Sequence, residues 1–154
     1  MYRENISESV YKIITGGFMS KEWQQKKLKE YVLPKTVYYQ ALWAVRDLER
    51  MRETLIELNE DVEEGLNGIA FDRKIGNTNT ISMPTEKKAI RLVDLEEKIK
   101  NIENAINLMP EEYQKGVLNN VINKELYDNS AHENTWKKWK QRFIYNVAKN
   151  LGLI

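Results

Sequence analysis

The sequence predicts an all-α fold: a long antiparallel helical hairpin followed by a C-terminal helix-turn-helix-like module. Three observations predict it. Apolar residues recur in two long series at steps of three and four, as one face of a helix requires. The three prolines, Pro34, Pro84 and Pro110, fall at the joints between those series. The last twenty residues form an amphipath with a single tryptophan-bearing stripe.

Taken in order, Gly16-Gly17 marks a turn after an N-terminal arm or short helix at residues 1–20. After Pro34, a natural helix start, Ala41, Val45, Leu48, Met51, Leu55, Leu58 and Val62 define one helix over Lys35–Glu64. It stops at Gly65-Leu66-Asn67-Gly68, and Gly65–Met83 has the Gly, Asn and Thr content of a loop. Pro84 opens the next helix at its favoured first position. There Leu92, Leu95, Ile99, Ile102, Ile106 and Met109 repeat every seven residues. The repeat is too short to demand a coiled-coil dimer, and packing against the Ala41–Val62 seam within the chain is the favoured arrangement. Residues 21–109 therefore read as the hairpin and 110–154 as a second unit. Within the latter, Glu111–Asn123 is helical, Asn123–Ser130 interrupts, and Ser130 with Glu133 has the spacing of a capping box that starts a helix near Ala131. Gly152 stops that helix just after Leu151.

Composition narrows the function. The 154 residues include no cysteine and one histidine, His132. That excludes thiolate metal sites, disulfides, cysteine nucleophiles and paired-histidine metal motifs, and predicts neither an enzyme nor a cofactor. No apolar run approaches the roughly 18–20 residues that cross a bilayer. The N-terminus lacks a signal-peptide layout, so a cytoplasmic protein without a membrane partner is expected. The 24 basic and 23 acidic residues nearly cancel. They are segregated, however: Val45–Glu64 carries eight acids and three bases, whereas Thr135–Ile154 carries five bases and no acid. A smaller basic cluster spans Lys21–Lys35. This asymmetry points to an anionic partner at the C-terminal end.

At about 100° per residue, Trp136, Trp139, Phe143, Ile144, Val147 and Leu151 share one stripe of the last helix. Lys137, Lys138, Gln141, Arg142, Tyr145 and Lys149 lie away from it. Lys140 breaks the pattern by falling inside the stripe. A helix anchored on one face and cationic on the other fits a DNA major groove. There Lys and Arg meet phosphates, and Arg and Gln can read base edges. The candidate DNA-contacting residues are Asn134, Thr135, Lys137, Lys138, Gln141, Arg142, Tyr145 and Lys149, those nearest the helix start lying closest to bases.

Three stretches carry a family resemblance: Ser82-Met83-Pro84-Thr85-Glu86-Lys87-Lys88-Ala89-Ile90, Leu108-Met109-Pro110-Glu111-Glu112-Tyr113, and Asn134 to Ala148. In this order they resemble the RinA/ArpU-type late-gene transcriptional regulators of Gram-positive phages and prophages, which in turn resemble region 4 of bacterial sigma factors. The resemblance spans roughly Ser82–Ile154 and, more loosely, Lys26–Arg50. It implies a helix-turn-helix whose second helix contacts double-stranded promoter DNA and activates late genes, with host RNA polymerase as a further partner. Such a regulator is a monomer or homodimer. Only Lys124–Ser130 separates the last two helices. Either Glu111–Asn123 is the first helix of the motif with a stretched turn, or the motif is degenerate. Two other functions fit the same sequence: a DNA-packaging protein like a terminase small subunit, forming a ring, and a helical protein-interaction module without DNA binding.

The remaining chemistry-bearing residues nominate no second site. Glu63-Glu64, Glu96-Glu97 and Glu111-Glu112 are adjacent pairs on helices, which diverge rather than converge on one atom. His132 has neither a nucleophile nor an orienting carboxylate assigned to it. Spacing puts Trp43 and Trp136 in the core and leaves Trp139 more open, while all four tryptophans, Trp23 included, could in principle stack on single-stranded bases.

Overall fold

The computed structural model describes residues 24–72 and 83–154. Among these are a 3-10 turn at Lys29–Tyr31 and five α-helices: α1 (Lys35–Arg46), α2 (Leu48–Asp72), α3 (Met83–Asn107), α4 (Glu111–Asn123) and α5 (Glu133–Asn150). No strand occurs among the described residues. The expected arm at 1–20, the Gly16-Gly17 turn, Trp23 and residues 73–82 of the expected loop lie outside them.

Helices α2 and α3 form the antiparallel hairpin. Arg52–Glu103 at 2.8 Å and Lys88–Asp61 at 2.7 Å bridge the two helices at separate points along its length. The heptad seam of α3 is consumed here, inside the chain: Ile99, Ile102 and Met109 are buried and Leu95 and Ile106 pack beside them. Two boundaries differ from expectation. The first predicted helix is broken at Asp47, whose φ of −86° and ψ of −2° turn the chain between α1 and α2. The turn keeps the Ala41–Val45–Leu48–Met51 face inward, so apolar spacing could not reveal it. The second difference is that α2 continues through Gly65 to Asp72 rather than stopping. A Cβ on Gly65 would lie 3.1 Å from the Thr85 hydroxyl, so this glycine serves close approach of the two helices.

Helix α5 is the centre of the fold, packed against α1, α3, α4 and the 3-10 turn. Trp136, Phe143, Ile144, Val147 and Ala148 are buried there, together with Tyr38, Ala41, Leu42 and Val45 of α1 and Val117 and Val121 of α4. A large apolar side chain buried this fully contributes about 1.5–3 kcal/mol. Residues on both sides of the 109/110 boundary thus share one core, and 110–154 does not have a core of its own. The α4–α5 contact is close because Gly116 has no side chain. A Cβ there would stand 2.7 Å from the Trp136 ring.

The nine-residue connection from Lys124 to His132 is longer than the three or four residues of a standard helix-turn-helix. Lys124 ends α4 in the left-handed region at φ 59°, its N–H donating to the Asn120 carbonyl. Asn120 then organises the connection: its amide donates to the Glu125 carbonyl at 2.7 Å, and its side-chain oxygen accepts from the Tyr127 hydroxyl and from Lys140 Nζ, both at 3.0 Å. Lys140 therefore sits within the stripe because its ammonium group reaches Asn120. Tyr127 stacks on Trp136 with an interplanar angle of 5°. The expected capping box is replaced. His132 is the N-cap, its Nδ1 accepting from the Asn134 N–H at 3.1 Å, and Ser130 instead donates to Asp128. Those donors hold the Asp128 carboxyl below the usual carboxylate range. At the far end, Gly152 at φ 68° and Leu153 donate back to Lys149 and Ala148, closing the helix as expected.

Candidate nucleic-acid interface

The outer face of α5 is not left bare. A strap formed by residues 24–31 runs along it, beginning with a turn in which the Leu28 N–H donates to the Gln25 carbonyl. Gln141 ties the strap down. Its side-chain oxygen accepts from the Gln25 N–H at 2.7 Å, and its amide nitrogen lies 3.3 Å and 3.2 Å from the carbonyls of Gln25 and Tyr31. Gln141 is only 3% exposed, so its expected role in reading bases is corrected: its donors and acceptor are spent inside the chain. Gln24 completes the strap with a reciprocal pair of bonds to Leu33, through its amide to the carbonyl and its side-chain oxygen to the N–H.

Tyr31, at the end of the strap, meets Tyr145 edge to face at 5.3 Å. The Arg142 guanidinium carbon lies 5.0 Å from the Tyr31 ring centre and 5.1 Å from that of Trp139. Tyr113 stacks against Trp139 in turn, at 5.7 Å and 24°. The Arg142 Nε is buried without a hydrogen-bond partner. No carboxylate lies within ion-pair distance of Arg142 among the described residues. Cation–π contact is worth about 0.5–2 kcal/mol and orients the planar fork, but it does not neutralise the charge.

The other expected residues divide into three groups. Lys138 is half-buried, Lys149 is exposed, and neither has an ion-pair partner among the described residues. Asn134 is exposed and Thr135 half-buried at the start of α5. Lys137 is committed to Glu133 at 2.7 Å, a contact that holds the Glu133 carboxyl below its ordinary range. Tyr145 is half-buried, its ring set edge to face with that of Tyr31. The basic region available to a ligand is thus narrower on α5 than the helical wheel implies. It is widened by Lys26, Lys27 and Lys29 of the strap, all exposed and without ion pairs among the described residues. The basic composition of Lys21–Lys35 was visible in sequence, but its docking on α5 depends on Gln141 and Tyr31, which no local pattern marks. The acidic α2 is not among the principal neighbours of α5, so its carboxylates do not cover this face.

A concavity of about 1670 Å³ lies between α1, α3 and the C-terminal residues, lined by Tyr39, Trp43, Glu97, Lys98 and Leu153 among others. Trp43 is here a correction: it is 52% exposed rather than in the core, with Arg46 over its ring at 5.1 Å. Trp136 is buried as expected. No cluster of His, Asp and Glu able to hold a metal ion occurs among the described residues, and none of their helices is long and apolar enough to cross a membrane. No family model, curated protein or solved structure matches the chain.

Proposed function

We propose that this protein binds double-stranded DNA through the outer face of α5 and acts as a transcriptional regulator, an activator of late phage genes being the role that the family resemblance supplies. The observation that carries the reading is the cationic set Lys138, Arg142 and Lys149. It lies on the helix at the centre of the core, with no carboxylate partner among the described residues. Unpaired cations on a rigid support suit phosphate contact, because little ordering remains to be done on binding. With Gln141 occupied, base reading falls to Asn134, Thr135 and Arg142.

The same reading disfavours the interaction module built on the heptad helix, since that seam is filled by α2. A packaging protein would use the same face, and light scattering separates it from a monomeric or dimeric regulator. The test of the reading is a fluorescence-anisotropy series with duplex DNA. The double substitution Lys138→Ala, Arg142→Ala should weaken binding at least tenfold, reduce its salt dependence by about one unit through the lost Lys138 phosphate contact, and relax base preference through the loss of Arg142. Unchanged affinity would contradict the assignment. Deletion of 111–154 would not isolate this function, because it removes seven of the eighteen buried residues of the shared core.

A further inference from the structure

We infer that the strap at residues 24–31 is a second nucleic-acid-contacting element, and that it and α5 together form a two-part clamp on the phosphate backbone of a duplex. This rests on the DNA reading above and adds to it a contact surface more than a hundred residues away in the chain. Three features carry it. Lys26 and Lys27 occupy the two central positions of the turn closed by Gln25 and Leu28, and Gln25 is the residue that Gln141 pins to α5. The lysines are therefore held at a fixed place beside the helix rather than on a loose tail. Lys29 follows in the 3-10 turn, and Glu30 is the strap's one carboxylate. Next, Tyr31 ends the strap over Arg142, so strap and helix share a single guanidinium whose buried Nε lacks a partner and whose charge is not met by any described carboxylate.

The third feature bears on the class of ligand. Proteins that hold single strands offer open aromatic faces on which bases stack. Here Trp139 carries Tyr113 and Arg142, and Tyr31 carries Arg142 and Tyr145, so these rings are engaged with one another. What the surface presents outward is the ammonium groups of Lys26, Lys27, Lys29 and Lys149, beside the half-buried Arg142. That is the chemistry of phosphate oxygens spaced along a backbone.

The test uses the full-length chain and a fluorescein-labelled random duplex of about 20 base pairs, titrated from about 50 to 200 mM salt. The triple variant Lys26→Ala, Lys27→Ala, Lys29→Ala should lower the slope of log K against log salt by two to three units and weaken binding at 100 mM salt at least tenfold. The triple Lys→Arg variant should restore both. These side chains are exposed, and matching circular dichroism spectra would establish that the fold is retained. If the triple alanine variant keeps the parental slope while Lys138→Ala, Lys149→Ala lowers it, the strap is not a contact element and the α5 reading stands alone. If the parental protein binds no duplex, both readings fail together. Tighter binding to single-stranded oligothymidine of equal length than to the duplex would also overturn the clamp.

Discussion

The two ends of the α2–α3 hairpin are built on the same helical spacing, yet among the described residues one end is covered by further helices and the other is not. Near Met51 and Ile102, the hairpin has α1, α4 and α5 packed around it, and both residues are at most 2% exposed. Toward Leu66 and Ile90 no other described element packs on the two helices. Leu58 is the outermost of the described buried residues on α2, and Ile56, Leu66, Ile90 and Val93 are more than half exposed. Charge follows the same division. The acids Glu53, Glu57, Glu60, Glu63 and Glu64 are exposed along the outer hairpin, whereas the cations of the strap and α5 lie on the thickest part of the core. A surface that must hold cations in place against their mutual repulsion gains from rigid backing.

The sharpest test of this difference applies one chemistry at both ends. Ile102→Ala, in the covered end, should cost about 2–5 kcal/mol in urea denaturation, whereas Ile56→Ala in the outer arm should stay within about 0.5 kcal/mol. Similar losses at the two sites would erase the distinction. Gly116→Ala probes the covered end from the opposite direction, by overpacking. The Trp136 ring stands too close for a methyl group, and the expected loss is about 1–3 kcal/mol, visible also as a shift in tryptophan fluorescence. A smaller effect of opposite sign is expected at Lys124. The left-handed backbone at φ 59° favours glycine, so Lys124→Gly should raise stability by about 0.5–1 kcal/mol.

The smallest effect concerns the joint at Asp47. A side-chain hydrogen bond from Arg50 holds its carboxyl below the ordinary aspartate range. A carboxylate lowered in the folded state stabilises above its unfolded pKa, and this contribution is lost as pH falls through the folded value. Asp47→Asn should therefore flatten the acid limb of the stability curve slightly, by an amount that salt screens because both partners are substantially exposed.

The sequence revealed the fold where periodicity decides it. The ends of α4, the Gly152 stop and the pairing of the heptad seam with the Ala41–Val62 seam were all legible. The break at Asp47 was not, because a one-residue turn leaves the inward face in phase. Nor was the passage of α2 through Gly65, where a glycine that usually ends a helix is retained for its closeness to Thr85. Trp43 misled for a different reason: it lies about 100° around the helix from Leu42, outside the arc formed by Tyr38, Ala41, Leu42 and Val45 that the core covers. The candidate site was half legible. Composition marked both basic clusters, but the wheel could not show that Gln141 turns inward to bind a distant strap, since that depends on a tertiary contact rather than on helical phase.

Nuclear magnetic resonance mapping of a titration with short duplex DNA tests the central claim most directly. The largest amide shift changes should fall on residues 26–31 and on Thr135, Lys138, Arg142 and Lys149, with the outer hairpin unmoved. Changes confined to the acidic arm or to the Trp43 groove, or no changes at all, would contradict the account.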